Sequence, residues 1–174
     1  MTTTTHCIGL HAQVLTDCRV LVLGSMPGAA SLQAAQYYAH PRNRFWPLMT
    51  ALTGINGALP YAARVRALQR AGVGLWDVIG ACDRRGSLDT AIVRGSEVPN
   101  ALPELIAQLP QLEAVICNGA TAHAAFVRFI QPRLGGAAAP LPVWSLPSTS
   151  PANAAWPLPR LQAAWQPLAD VLAG

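Results

Sequence analysis

The run Arg19-Val20-Leu21-Val22-Leu23 is aliphatic at four consecutive positions and stops at Gly24. A continuous apolar run of this length, without the alternation of a half-exposed strand, predicts a strand covered on both faces. A covered strand needs a layer above and a layer below, which constrains the chain more than any other feature. The turn Ser25-Met26-Pro27-Gly28 follows. Two glycines and a proline within five positions fix a sharp backbone with little bulk at the strand end. A helical pattern begins near Ser31 and gives way to Tyr37-Tyr38-Ala39-His40-Pro41-Arg42-Asn43, dense in aromatic, imidazole, guanidinium and amide groups. Asn43 falls at the expected N-cap of a helix whose apolar face carries Phe45, Trp46, Met49 and Leu52.

The alternation continues. Pro60 to Gly72 predicts a helix with Ala62, Val65 and Leu68 inward and Arg64, Arg66 and Arg70 outward. Val73 to Ile79 reads as a second strand leading into a polar loop, Cys82 to Asp89, with paired arginines Arg84 and Arg85. Pro99 to Leu109 reads as a helix with its proline in the first turn. Glu113 to Gly119 is a third strand ending in Asn118, and Ala120 to Gln131 a helix by its i, i+3, i+4 spacing. A Gly/Ala/Pro loop spans 132–140. Leu141 to Leu146 is the last strand, its exit at 147–154 is rich in proline and hydroxyls, and Leu158 to Leu172 closes the chain as an amphipathic helix. The expected fold is α/β: a three-layer α/β/α sandwich around a central, mainly parallel sheet. Neither a repeat nor a linker is visible. The 174 residues are expected to form one domain, with residues 1–18 a poorly defined N-terminal segment.

Composition bears on partners. Hydrophobic residues make up 52% and charged residues only 11%, so the chain is expected to be globular. No apolar run reaches the ~20 residues of a membrane span. Met1 to His6 lacks the regions of a signal peptide, so a cytoplasmic location is expected. The formal charge is +4, which suits a polyanion. All twelve basic residues are arginine. Without lysine, a lysine Schiff base is excluded and only the α-amine of Met1 remains for such chemistry. Cys7, Cys18, Cys82 and Cys117 show no close pair, so free thiols are expected rather than a zinc or iron–sulfur site.

Three strand exits carry the unusual residues: 24–28 with the loop to Asn43, Asn118-Gly119, and 147–153. In a parallel sheet these converge on one edge, where ligands of open α/β sheets bind. Neither nucleotide-phosphate loop motif is present, and no cofactor is expected. The nucleophile elbow G-x-S-x-G is missing, which argues against an esterase pair of Ser25 and His40. No carboxylate pair is evident on this edge either. What remains are amides, hydroxyls, aromatics and backbone N–H groups, a set suited to holding a neutral ring extruded from a nucleic acid. Blander roles stay open for each: Asn43 as a helix cap, Tyr38 as packing, His40 as structural, Asn118 as a strand end, Arg84 and Arg85 as an exposed turn.

The motifs G-S-M-P-G, Y-Y-A-H-P-R-N-R-F-W and P-S-T-S-P-A-N together resemble the uracil-DNA glycosylase superfamily, nearest its hypoxanthine-DNA glycosylase branch and next the mismatch-specific uracil glycosylases. The resemblance runs from about residue 19 to the C-terminus. It implies that Gly24, Ser25, Met26, Pro27 and Gly28 line the base pocket and hold the attacking water. Related enzymes often carry Asp or Asn in this turn, whereas here Met26 stands in that place and cannot orient water. The resemblance therefore moves the catalytic role to Asn43, makes Tyr38 the stacking aromatic, and gives Asn118 a supporting catalytic role. It assigns Ser148, Thr149, Ser150, Ala152 and Asn153 to a loop pressing into the minor groove, with Ser148 in place of a histidine and Ala152-Asn153 in place of a bulky wedge. His40, Arg42, Arg44, Arg84 and Arg85 are expected to contact DNA phosphates.

The expectation is a monofunctional, monomeric DNA glycosylase acting on a deaminated base, hypoxanthine first and uracil second, with DNA as its partner and neither metal nor membrane involved. Its rivals are a non-catalytic nucleic-acid-binding domain of the same fold and a small-molecule hydrolase. DNA binding without an abasic product marks the first; turnover of nucleosides or esters without DNA marks the second.

Overall fold

The computed structural model describes residues 3–136 and 140–174, so the start of the N-terminal segment and 137–139 of the expected Gly/Ala/Pro loop lie outside the described residues. Seven strands occur among them: β1 (Thr5–Ile8), β2 (Val20–Gly24), β3 (Val73–Asp77), β4 (Ile79–Arg84), β5 (Val98–Pro99), β6 (Ala114–Asn118) and β7 (Val143–Leu146). The helices are α1 (Ala29–Ala34), α2 (Phe45–Thr53), α3 (Tyr61–Arg70), α4 (Leu102–Ile106), α5 (Ala120–Phe129), α6 (Leu158–Ala164) and α7 (Gln166–Ala173).

The central sheet has the order β3-β2-β6-β7, with every pair parallel. Strand β2 is the buried centre, and its two-residue period distributes its side chains between two cores. Val20 and Val22 join Phe45, Trp46, Leu48 and Met49 of α2, Val65 and Leu68 of α3, and Leu161, Trp165 and Leu168 from the C-terminal helices. Leu21 and Leu23 face the other way, onto Leu102, Ala122, Ala125 and Phe126 of α4 and α5. The aliphatic run thus carries the three-layer α/β/α arrangement. Because all four strands run the same way, Gly24, Asp77, Asn118 and Leu146 finish at one edge.

Four local expectations need correction. Residues 79–84 are not the tail of one strand and a polar loop. They form β4, the middle of a separate antiparallel sheet, β1-β4-β5, which ties the N-terminal segment into the fold. The break falls at Val78, whose N–H donates to the Gly24 carbonyl (2.9 Å). Pro99 does not start a helix. It pairs with Ile79, and the next residue is pinned to the end of β3, with Asn100 Nδ2 donating to the Asp77 carbonyl (2.8 Å). The C-terminal helix is split at Trp165, where Pro167 lacks the N–H a continuous helix would need. Ala62 is exposed rather than inward.

All four cysteines are free thiols, and Cys18, Cys82 and Cys117 are buried. No described helix is long and apolar enough to cross a membrane.

Candidate active site

The carboxyl edge of the sheet opens into a cleft of about 1000 Å³, floored by the Gly24–Gly28 turn. Its walls come from the 37–43 loop, the 87–90 segment, Asn118 and the 145–153 loop, so the three expected strand exits do meet. The turn is held in place by Val78 and Ile79, whose N–H groups donate to the carbonyls of Gly24 and Ser25 (2.9 Å each). A methyl group on Gly24 would collide with Asp77 Oδ1 and reach within 3.5 Å of the Tyr38 hydroxyl. Glycine is therefore required at this position for both side chains to close over the strand end. Met26 lines the cleft but is only 6% exposed, and it packs in a small core with Ile79 and Cys82.

Tyr38 sits in the cleft wall with φ of +56°, a left-handed backbone that a side chain rarely adopts. The segment is tied down around it. Ala39 N–H donates to Ser31 Oγ (3.1 Å), Trp46 Nε1 to the Tyr37 carbonyl (3.0 Å), and the Tyr37 hydroxyl to the His11 carbonyl (2.8 Å). Such local strain is held only where the surroundings over-determine it. The Tyr38 ring stacks on Phe45 with centroids 3.9 Å apart and planes 26° from parallel. Its hydroxyl is buried without a hydrogen-bond partner. Burial pushes that hydroxyl well above the ordinary phenol value, and the charge of Asp77 adds to the effect.

The other walls are joined by a relay of side chains. Asn118 Nδ2 donates to Thr149 Oγ1 (3.0 Å), and Thr149 N–H returns a bond to Asn118 Oδ1 (3.0 Å). The Thr149 hydroxyl then donates to Asn43 Oδ1 (2.9 Å), which also accepts the Phe45 N–H (3.0 Å). Asn43, expected at the N-cap, instead caps α2 from one residue before it, since Arg44 occupies the cap position. A backbone N–H can only donate, which fixes Oδ1 as the atom facing Phe45 and leaves Nδ2 as the free end of the amide.

Two carboxyl groups, Asp77 and Asp89, line the cleft, where no carboxylate pair was expected. Asp77 ends β3, is 4% exposed and has Oδ2 buried without a partner. Burial and then the charge of Asp89 push its carboxyl up to about 7. Asp89 takes the Ser25 hydroxyl on Oδ2 (2.6 Å). Burial raises it too, opposed by the Ser25 hydrogen bond and by the Arg84 charge. Among the described residues, no cluster of His, Cys, Asp and Glu is fit to hold a metal ion.

Several residues expected at DNA do other work. Arg84 is 1% exposed, because it shares the inward side of β4 with Cys82, and it cannot reach a phosphate. The Arg44 guanidinium is spent on backbone carbonyls, clamping Ser150 (2.6 Å), Asn153 (2.9 Å) and Trp156. Thr149 is fully buried in the relay. By contrast, Arg42 and His40 are exposed at the cleft, and Arg85 is exposed on the 85–88 bend. Ser148, Ser150, Ala152 and Asn153 line the cleft in a loop closed by its own polar groups, with Asn153 Nδ2 donating to the Ser148 carbonyl (2.9 Å) and Ser150 N–H to Ser148 Oγ (3.1 Å).

Known proteins resemble this chain in sequence and in fold. A hypoxanthine DNA glycosylase from Methanosarcina barkeri is 41% identical over 104 residues, covering 59% of this chain and 65% of that relative. The chain thus spans less than two thirds of that relative's length in the match. A hypoxanthine DNA glycosylase from Methanosarcina acetivorans is 35% identical over 112 residues, covering 64% and 70%. The solution structure of a candidate uracil DNA glycosylase from Methanosarcina acetivorans superimposes with a TM-score of 0.80 at 27% identity, over 98% of this chain and all of that one. The family model of the uracil DNA glycosylase superfamily matches residues 12–171, and with this coverage the chain belongs to that superfamily.

Proposed function

We propose that the chain is a monofunctional DNA glycosylase that hydrolyses the N-glycosidic bond of a deaminated base, hypoxanthine foremost. The observation that carries the reading is the composition of the cleft. It pairs a stacked aromatic wall, Tyr38 on Phe45, with a turn of backbone groups and few free charges, in a chain whose relatives are named for this activity. Glycosidic cleavage builds positive charge on the sugar and negative charge on the departing base. The Ser25–Gly28 turn supplies the fixed dipoles for the base oxygen.

The side chains then divide the work. Asn43 enters the cleft as a donor through Nδ2, because Oδ1 is occupied twice. It holds the attacking water by its oxygen. Asp89 takes the water's proton: burial raises its affinity for a proton, the Ser25 bond and the Arg84 charge offset part of that, and the Ser25 bond places it against the turn. Asp77, unpartnered and about half protonated at pH 7, donates to the base edge in its neutral form, as buried neutral carboxyls do in other enzymes. Asn118 positions Thr149 and through it Asn43. With no lysine in the chain, the product is an abasic site in an intact strand.

The test is a panel of duplexes containing hypoxanthine, uracil or xanthine opposite each base, treated with alkali to reveal abasic sites. Release of hypoxanthine, lost in Asp89→Asn, is expected. DNA binding without release of any base by the wild-type protein refutes the reading.

A further inference from the structure

The structure leaves one large apolar side chain standing free at the mouth of the cleft. Leu88 is 57% exposed and lines the cleft, as the 148–153 loop does. The other well-exposed large apolar side chains among the described residues, such as Ile8, Val98 and Val127, lie away from it. The 148–153 loop of the same cleft offers serines, a threonine, a proline, an alanine and an asparagine, with nothing larger. An enzyme that extrudes a base from a duplex must hold the stack open, and an apolar side chain pushed between base steps is the usual means.

The backbone around Leu88 is built to push. Gly86 turns with φ of +102°. Arg85 N–H donates to the Ala91 carbonyl (3.1 Å), and Ala91 N–H donates to the Leu88 carbonyl (3.0 Å). Ser87 Oγ accepts the Ala29 N–H at the start of α1 (2.8 Å). Asp89 is joined to Ser25 in the floor of the cleft (2.6 Å). The residues on either side of Leu88 are thus each stapled to the pocket, while Leu88 itself projects from a rigid bend. Arg85, exposed beside it and held among the described residues only through Nε to Thr4 Oγ1 (3.1 Å), has further guanidinium N–H groups to offer a phosphate.

We propose that Leu88 is the wedge of this enzyme: it enters the base stack and fills the gap left by the extruded nucleotide. The wedge therefore stands on the 85–89 bend and not on the 148–153 loop. The inference rests on the glycosylase reading above. It also makes duplex DNA, rather than a free nucleoside, the partner of this surface.

Single-turnover base release is measured for the wild type, Leu88→Ala and Leu88→Phe on two duplexes. One has inosine opposite a normal base. The other has inosine opposite a pyrene nucleotide, whose bulk expels the base without help from the protein. Leu88→Ala is expected to slow release at least about tenfold on the normal duplex, since unstacking costs a few kcal/mol. On the pyrene duplex it should return to within about twofold of wild type, and Leu88→Phe should stay near wild type on both, because either bulk does the wedge's work. An unchanged rate for Leu88→Ala on the normal duplex overturns the proposal. So does an equal loss on both duplexes, which would mean that Leu88 shapes the cleft. A wild-type protein silent on both duplexes would remove the hypoxanthine reading on which the wedge rests, and the wedge with it, whereas an active wild type with an unaffected variant removes the wedge alone.

Discussion

The hydroxyl of Thr149 lies 2.9 Å from Oδ1 of Asn43 and donates to it, while the Phe45 N–H occupies the same oxygen from the other side. The helix cap and the candidate catalytic amide are therefore one group. What caps α2 also fixes which end of the amide faces the cleft. The bland reading of Asn43 and the functional one do not compete: the cap is how the amide is aimed.

Aiming has a measurable consequence at Asn43. Aspartate caps a helix as well as asparagine does, and it would keep both bonds to Oδ1. It would also replace the free Nδ2 donor with an oxygen. If the amide acts by donation, Asn43→Asp is expected to lose base release by about 100-fold or more, the scale of losing one positioned donor. Thermal stability should stay near wild type, while Asn43→Ala should also lose about 1 kcal/mol from the cap. Single-turnover rates with parallel melting curves check this. An active Asn43→Asp would mean that the residue works as an acceptor.

Thr149→Val tests the relay behind it. The substitution keeps shape and removes the hydroxyl, leaving Asn43 Oδ1 and Asn118 Nδ2 each one bond short in a buried place. Losses of this kind cost about 1–3 kcal/mol. Asn43 would keep its cap bond, and with it the end of the amide that faces the cleft, but lose the second bond that holds the amide still, so kcat should fall while KM for inosine DNA changes little. Urea melts and steady-state kinetics on the same protein separate the two effects.

How much of this was legible in the sequence follows from the range of the interactions. The run at Val20–Leu23 names its own environment, since each residue is buried by what it is, and the parallel sheet with its convergent exits follows from it. Asp77 was hidden because Trp76-Asp77-Val78-Ile79 reads as one apolar stretch. The backbone leaves one sheet at Val78 and enters another at Ile79, a break with no hydropathy signal. Asp89 gains its place through Ser25, 64 positions away, which spacing does not reveal. Arg84 looked exposed by its charge, but the alternation of β4 turns it inward beside Cys82. Thr149 looked like a surface hydroxyl in a Ser/Pro loop. Its burial comes from two asparagines at other strand and helix ends.

The arginines at the mouth should separate by salt dependence. Arg44 clamps three carbonyls of the 150–156 segment, while Arg42 and Arg85 are exposed. Arg42→Ala or Arg85→Ala is expected to weaken DNA binding and to reduce the slope of log affinity against log salt by about one each, the signature of a lost phosphate contact. Arg44→Ala should leave that slope unchanged and instead lower the melting temperature, because the loop carbonyls lose their donor. Fluorescence anisotropy at several salt concentrations distinguishes the two classes.

Asp77 links the pocket to pH. Its carboxyl is pushed up to about 7, against an ordinary 3.8, by burial and the Asp89 charge. Below 3.8 the group is neutral folded and unfolded, so it costs nothing. Between 3.8 and about 7 the unfolded chain gives up its proton while the folded protein keeps it, and stability falls as pH rises. The accumulated loss is ~4 kcal/mol at pH 8, at about 1.36 kcal/mol for each pH unit. An amide has no such proton to lose, so Asp77→Asn is expected to be the more stable protein at pH 8, with the advantage shrinking towards pH 4 in urea melts. The same substitution separates donation from charge in catalysis. A neutral carboxyl that donates to the base is mimicked by an amide, so Asp77→Asn should retain base release and lack the decline in rate expected of the wild type as pH rises through 7. A variant dead at every pH would mean that the carboxylate, and not its proton, is what the substrate meets.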